Sequence, residues 1–234
     1  MDVLANLRPK AKMFAATAVK TAAYRTGLHR AIFARYDYMF RPVELAFLTE
    51  CLTKTHERGL TGPILEIGCA AGATTVYLDK HLSYMGDDRE YVCIDTFAGF
   101  TQEDIDVEIE RGHDASQYNY VFKAYRKPWF DQTMENNGVT RVRSIQADAN
   151  TFDFSQFDKI SFCLIDVDLK RPVERSLAGI VDRMAPGGII VIDDCKPNNL
   201  FDGALAGYTE SVERIGYPVD VRFDMLGVIE VPEA

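Results

Sequence analysis

A chain of 234 residues with 47% hydrophobic and 26% charged residues has the composition of one soluble globular domain that buries a full core. No apolar run is long enough to cross a bilayer, and we expect no signal peptide. The five cysteines are widely spaced, without a CxxC pair. This argues against a zinc ribbon or disulfide framework and favours a reducing, cytoplasmic location.

The net charge of −9 is unevenly distributed. Residues 1–36 carry seven basic residues against one acid, which gives +6, and the rest of the chain carries −15. An acidic body repels phosphate backbones, so nucleic acid is not expected as a substrate.

The N-terminal segment has apolar side chains at a helical period, with basic residues around them: Leu7, Ala11, Phe14, Ala18 and Ala22. We interpret residues 1–42 as a helical extension that packs on the body or on a partner subunit of a homo-oligomer. Binding to a membrane surface is the alternative. Residues 43–234 then form the main domain, which begins with a helix from Val43 to Arg58.

From residue 63 onward, buried strand patterns alternate with helical patterns. Strands are expected at 63–67, 91–95, 142–146, 160–166 and 188–193, and a closing hairpin at 219–223 and 227–231. Helices are expected at 71–82, 122–136, 172–184 and 202–215. This alternation predicts an α/β fold, a Rossmann-like and mainly parallel seven-stranded sheet with helices on both faces and a C-terminal antiparallel hairpin.

One segment interrupts the alternation. Residues 101–116 are polar and acidic, which is typical of an insertion rather than a core element. The whole stretch 101–127 contains several aromatic side chains, and we interpret it as a lid over a substrate. Ordinary helix packing is the alternative for these aromatic residues.

Carboxylates lie at or just beyond the ends of all five strands of the expected parallel sheet. They are Glu66, Asp95, Asp148, Asp166 and the pair Asp193–Asp194. Ligands of open α/β sheets bind beyond the carboxyl ends of the strands, so these acids are expected to line one site. Helix caps and Asx turns remain the alternatives for individual members.

The first loop and two of these acids suit an adenosine. Gly68 and Gly72 let the backbone approach a ligand and open a helix, although Ala70 departs from the dinucleotide fingerprint. Asp95 is placed to accept hydrogen bonds from ribose hydroxyls, and Asp148 from the exocyclic amine of adenine. The sequence therefore indicates an adenosine slot.

Four runs occur in order along the chain: Ile64–Gly72, Ile94–Phe100, Leu164–Leu169 and Ala185–Asp194. They resemble class I S-adenosylmethionine (SAM)-dependent methyltransferases and, more narrowly, the macrocin O-methyltransferase group of sugar and natural-product enzymes. The likeness covers about residues 40–195.

The resemblance implies two sets of site residues. The cofactor SAM would be bound by Glu66, Gly68, Ala70, Gly72 and Asp95. By their positions in the chain, Thr96, Phe97 and Asp148 are added to this set, and Met39 is expected to close over the cofactor from the other side. A divalent cation, Mg²⁺, would be bound by Asp166, Asp193 and Asp194, with Asp168 as an alternative or additional ligand. Clustered carboxylates repel one another unless a cation lies among them, and oxygen ligands suit Mg²⁺.

These expectations favour metal-assisted O-methylation of a small-molecule hydroxyl on a sugar, phenol or natural product. The candidate catalytic residues are Asp166, Lys170 and His113, although a lysine like Lys170 is more often a solvated cation at a helix start and a histidine like His113 more often a surface residue. The alternatives are an NAD(P)-dependent oxidoreductase or nucleotide-binding module, and an inactive methyltransferase fold that binds a partner.

Overall fold

The computed structural model describes residues 38–118 and 121–233, together with residues 15, 17–19, 21, 22 and 26. The chain divides into an N-terminal unit, Met1–Met39, and a main unit, Phe40–Ala234. In the N-terminal unit, residues 15, 17–19, 21 and 22 are helical. The predicted apolar positions Leu7, Ala11 and Phe14 lie outside the described residues. The proposed roles of this segment and of Met39 stay predictions.

The main unit alternates helices and strands. The helices are α1 (Pro42–Glu57), α2 (Ala73–Met85), α3 (Gln102–Glu110), α4 (Lys127–Asn136), α5 (Lys170–Ile180) and α6 (Gly203–Ile215). The strands are β1 (Ile64–Ile67), β2 (Tyr91–Asp95), β3 (Val142–Gln146), β4 (Ile160–Ile165), β5 (Met184–Ile192), β6 (Val221–Arg222) and β7 (Leu226–Glu230).

The seven strands form one sheet in the order β3-β2-β1-β4-β5-β7-β6. The first five strands pair in parallel, while β7 pairs antiparallel with both β5 and β6. The predicted mainly parallel sheet with a C-terminal hairpin is therefore confirmed. Every residue of β1 and β4 is buried, because helices cover both faces of a parallel sheet.

The core is apolar apart from a small number of paired polar groups. The five cysteines are buried free thiols. A buried ion pair between Arg89 and Asp87 lies near the amino ends of the strands, where Arg89 also donates to Thr55 and Ser161. Within the part of the chain that the structure describes, no helix is long and apolar enough to cross a membrane.

Helix α3 lies within residues 101–116, whose assignment as an insertion stays a prediction. It begins after Thr101, whose hydroxyl accepts a hydrogen bond from the Asp104 N–H. Asp104, Ile105 and Glu108 are buried, and the two acids contact the first residues of α5. The acidic composition suggests exposure to solvent, but these two carboxylates are buried and hydrogen-bonded inside the fold.

Several boundaries also differ from the sequence prediction: the helix expected at 172–184 is α5 at Lys170–Ile180, and two further differences have a local cause. Helix α4 begins at Lys127 rather than at Phe122, whose left-handed φ of +57° is incompatible with a helix start. Proline in the first turn of α4 suits the observed start. Strand β5 begins at Met184 rather than at Gly188, across an irregularity in its pairing with β4.

Candidate active site

The carboxyl ends of β1, β4 and β5 meet at one edge of the sheet, and the backbone ladder continues beyond each strand. The Gly68 N–H donates to the carbonyl of Ile94 at 2.8 Å. The Asp166 N–H donates to the last carbonyl of β1 at 2.7 Å, and the Asp193 N–H donates to the last carbonyl of β4 at 2.9 Å. The loop after β1 therefore lies beside Asp166, and Asp193 lies beside the end of β4.

The loop after β1 depends on glycine at two positions. Gly68 and Gly72 have φ of +85° and +84°, and Ala70 also adopts a positive φ of +45°. A Cβ at Gly68 would lie 1.8 Å from the Asp166 carbonyl oxygen, and one at Gly72 would lie 2.5 Å from Cε of Met134. Both glycines are required by close packing inside the protein, and the loop leads directly into α2.

Asp95 connects this loop to the end of β2. Its Oδ2 accepts from the backbone N–H groups of Cys69 and Ala70, both at 2.8 Å, and its Oδ1 accepts from the Phe97 N–H at 2.6 Å. Thr96 closes the following turn by donating to the Gly99 carbonyl. A carboxylate offers about four acceptor positions, so Asp95 retains capacity for a ligand hydroxyl. Its predicted contact with the ribose is untested.

Glu66 lies beneath the loop and is fully buried. Its Oε2 accepts from the hydroxyls of Thr75 at 2.8 Å and Tyr91 at 2.5 Å, with the Cys93 thiol at 3.5 Å. Burial raises the pKa of Glu66 to about 7, against the opposing effect of these hydrogen bonds. Because Thr75 belongs to the first turn of α2, the network joins the first two strands to the start of that helix.

Four acids cluster after β4 and β5, at the predicted metal site. Burial and then the charge of Asp193 raise the pKa of Asp166 well above its usual range, and burial raises the pKa of Asp193 itself to about 8. Burial and then the charge of Asp194 raise the pKa of Asp168 well above its usual range, and burial raises the pKa of Asp194. Asp193 Oδ1 is buried and has no hydrogen-bond partner among the described residues.

A tighter group of possible metal ligands lies elsewhere. Among the described residues, Glu108, His113 and Asp202 present ligand atoms that all lie within 4.8 Å of one another, whereas the acids after β4 and β5 do not form such a set. The Arg111 guanidinium bridges Glu108 at 2.9 Å and Asp202 at 2.8 Å. The positive charge of Arg111 therefore already neutralises the carboxylates of this possible metal site.

The three candidate catalytic residues do not come together. Asp166 lies in the acid cluster. The Lys170 ammonium instead pairs with Glu210 on α6 at 2.8 Å, and its backbone N–H donates to Glu108. His113 Nε2 contacts Asp202 at 3.0 Å. Both basic side chains have charge partners away from the acids after β4 and β5.

Three polar residues near the predicted site were not predicted from the sequence: Asn150, Asn199 and Glu44. Asp148 Oδ1 accepts from the backbone and side-chain nitrogens of Asn150, which follows it in the turn after β3. Asn199 Nδ2 donates to Asp194 Oδ1 at 3.2 Å. Glu44 is buried at the start of α1, and its charge raises the pKa of Asp194 as a lesser cause after burial. The spacing of Asp148 and Asn150 is a turn signal that is visible in the sequence, whereas the roles of Asn199 and Glu44 depend on tertiary contacts.

Aromatic rings from the stretch 97–125 pack against the loop after β5. The Phe122 ring stacks on Tyr125 and Phe201 and meets Phe100 edge-on, at centroid distances of 5.9, 6.5 and 5.6 Å. The Tyr118 hydroxyl donates to the carbonyl of Leu200 at 2.9 Å. The predicted lid residues are thus docked on the fold, and their closure over a substrate stays a prediction.

A family model described as a methyltransferase domain matches residues 65–195, which run from β1 to just beyond β5. A search of curated protein sequences returns no match. The O-methyltransferase NovP superposes with a TM-score of 0.69 at 14% identity, covering 86% of this chain and 84% of NovP. The calicheamicin methyltransferase CalS11 superposes with a TM-score of 0.67 at 16% identity, covering 96% and 94%.

The chain belongs to the methyltransferase domain family, because that model spans more than half of it. It is a SAM-dependent methyltransferase in class, with the Rossmann-like fold of that class. A cofactor-bound structure of Rv0187 from MTB shares the fold with a TM-score of 0.55 at 16% identity, covering 100% of this chain and 94% of Rv0187. The family assignment favours methyl transfer over the NAD(P)-dependent alternative.

Proposed function

We propose that this methyltransferase transfers the methyl group of SAM to a hydroxyl of a small molecule, assisted by Mg²⁺ at the ends of β4 and β5. The observation that carries the proposal is the cluster of Asp166, Asp168, Asp193 and Asp194 after β4 and β5, in which Asp168 is buried and the other three acids are half-buried. Among the described residues these acids form no ion pair, and such a concentration of partly buried carboxylates is costly unless a proton or a cation compensates it.

The acid cluster fits a hard divalent cation by its chemistry. Asp193 Oδ1 is buried without a donor among the described residues, and its pKa is raised because burial disfavours the charged form. Carboxylate oxygens are the ligands that Mg²⁺ prefers, with waters or substrate oxygens completing the shell. We assign Asp166, Asp193 and Asp194 to this ion, with Asp168 as an additional ligand.

The cofactor would extend along the same edge, over the carboxyl ends of β1, β2 and β3. The loop after β1 would receive the methionine half, Asp95 the ribose and Asp148 the adenine. Glu66 would act from beneath, by fixing Thr75 and thereby the start of α2. Asp95→Ala should weaken binding of S-adenosylhomocysteine (SAH) in calorimetry. Unchanged affinity would remove Asp95 from the ribose site.

Methyl transfer from a sulfonium is an in-line displacement, so the chief task of these residues is alignment of the acceptor oxygen with the methyl group. Positioning of this kind supplies roughly 7–11 kcal/mol. Bound Mg²⁺ would supply orientation of the acceptor oxygen and a lower pKa for its hydroxyl. Asp166 and Asp168 are the candidate proton acceptors, since Lys170 and His113 have their own charge partners.

Two comparisons support oxygen as the acceptor atom and a small molecule as the substrate. NovP is an O-methyltransferase, and CalS11 is a TDP-rhamnose 3′-O-methyltransferase of calicheamicin biosynthesis. Both agree with the macrocin-type resemblance of the motifs. The acidic body of the chain, with a net charge of −15 beyond residue 36, further disfavours nucleic acid.

Calorimetric titration with SAH and a methyl-transfer assay on hydroxylated sugars and phenols test the proposal together. We expect SAH binding, no NAD⁺ binding, and methyl transfer that EDTA abolishes and Mg²⁺ restores. Asp193→Asn should remove the Mg²⁺-dependent rate and retain SAH binding, while Asp182→Asn on an exposed turn should change neither. Full activity in EDTA would exclude the metal, and SAH binding without transfer to any acceptor would favour the inactive fold.

A further inference from the structure

The turn after β3 holds Asp148 by its neighbour Asn150. Asp148 Oδ1 accepts from the Asn150 backbone N–H at 2.9 Å and from Asn150 Nδ2 at 2.7 Å. A carboxylate held by two donors in one turn has a fixed orientation, which leaves its other oxygen for a further donor. The position of Asp148 thus depends on the amide of Asn150.

The same amide connects this turn to α3. Asn150 Nδ2 lies 3.1 Å from both carboxylate oxygens of Asp104. Asp104 is buried and accepts from Arg171 on α5 at 3.1 Å. A continuous chain of polar side chains therefore runs from α5 through α3 to Asp148.

The carbonyl side of the Asn150 amide is unsatisfied. Asn150 Oδ1 is buried and has no hydrogen-bond partner in the described part of the chain. Reversing the amide would not remedy this, because its oxygen would then face the carboxylates of Asp104 and Asp148. A buried acceptor without a donor is costly, so this turn is suited to a ligand that brings N–H groups.

We propose that Asn150 and Asp104 are positioning residues for the adenine of SAM. The inference rests on the proposed function and deepens its adenosine site. Asp104 fixes the Asn150 amide, Asn150 fixes Asp148, and the exocyclic amine of adenine donates to the acceptors held in this turn. Helix α3 is thereby part of the cofactor site, although none of its residues has to touch the cofactor.

The test compares SAH with S-inosylhomocysteine, in which a carbonyl oxygen replaces the exocyclic amine. Wild-type protein should bind SAH more tightly, and Asn150→Ala should reduce the ratio of the two affinities about tenfold, as expected for loss of a hydrogen bond to a charged group. Asp104→Asn should reduce it in the same direction by a smaller factor. The matched control is Glu103→Gln, since Glu103 pairs with the same Arg171 but is exposed and has no contact with Asn150.

A purely structural network would give a different pattern. Equal weakening of both ligands in Asn150→Ala and Asp104→Asn, with the ratio preserved, would overturn the inference and leave the proposed function intact. If wild-type protein bound neither ligand, the proposed function and the inference would both fail. If Asn150→Ala did not fold, as judged by circular dichroism, the comparison of Asp104→Asn with Glu103→Gln would decide in the same way.

Discussion

Replacement of the buried Glu66 by glutamine should change how the stability of the protein depends on pH. In the folded state burial raises the pKa of Glu66 from an ordinary value of 4.5 to about 7. The folded state therefore binds this proton more tightly than the unfolded state does. The wild-type contribution is fully present below pH 4.5, is lost as the pH rises to about 7, and is constant above that value.

The magnitude follows from the interval between the two pKa values. Each pH unit corresponds to about 1.4 kcal/mol, so Glu66 should lower the unfolding free energy by roughly 3 kcal/mol between the two limits. Glu66→Gln does not titrate and avoids this loss. Its amide replaces one carboxylate oxygen by an N–H donor in a pocket where the hydroxyls of Thr75 and Tyr91 donate to Glu66, so these hydrogen bonds have to rearrange, which costs about 1–3 kcal/mol at every pH.

Urea unfolding followed by circular dichroism at a series of pH values separates the two effects. The unfolding free energy of Glu66→Gln minus that of wild type should rise by roughly 3 kcal/mol between pH 4.5 and 7.5, whatever its starting value. Glu90→Gln is the control, because Glu90 is exposed beside Arg143, and its difference should stay nearly constant. A pH-independent difference for Glu66→Gln would refute the reasoning, since Glu66 would then ionise normally inside the fold.

Three further perturbations test the packing and the N-terminal unit. Gly72→Ala should cost about 2–5 kcal/mol from left-handed strain and overpacking, whereas Gly86→Ala, with φ of +69° and open space, should cost about 1–2 kcal/mol in urea unfolding; equal losses would exclude the clash. Arg89→Met should lower the unfolding free energy by about 3–5 kcal/mol because the buried Asp87 carboxylate loses its guanidinium partner. A loss below about 1 kcal/mol would contradict this. Deleting residues 1–30 should reduce the sedimentation mass by whole subunits if this segment builds an oligomer; a mass lower by the deleted residues alone would exclude that.

The centre of the sheet could be predicted from sequence because β1, β2, β4 and β5 are short, largely apolar runs that end beside glycine or acid. The runs before Gly68 and Asp193 are buried on both faces, so their composition alone identifies them. Carboxyl ends of parallel strands share one edge of a sheet. This rule predicts from the sequence that Asp95, Asp166 and Asp193 lie on the same side of the fold.

The parts that could not be predicted depend on pairing between distant segments. Asp104 and Glu108 look like solvent-facing acids, and their partners on α5 lie more than sixty positions away. Lys170 follows the fourth strand as a catalytic lysine would, yet its ammonium is directed to Glu210 on a different helix. Local pattern carries no information about such contacts, so the catalytic set remains the least predictable part of the site.

The buried carboxylate of Glu108 limits which residues position 203 can accept during evolution. Its Oε1 accepts the Lys170 N–H at 2.8 Å, and a Cβ added at Gly203 would lie 2.2 Å from that same oxygen. Any side chain at position 203 thus competes for space with the group that satisfies the start of α5. Positions 108 and 203 should therefore vary together among homologues, with glutamate at the first found beside glycine at the second, although they stand far apart in sequence.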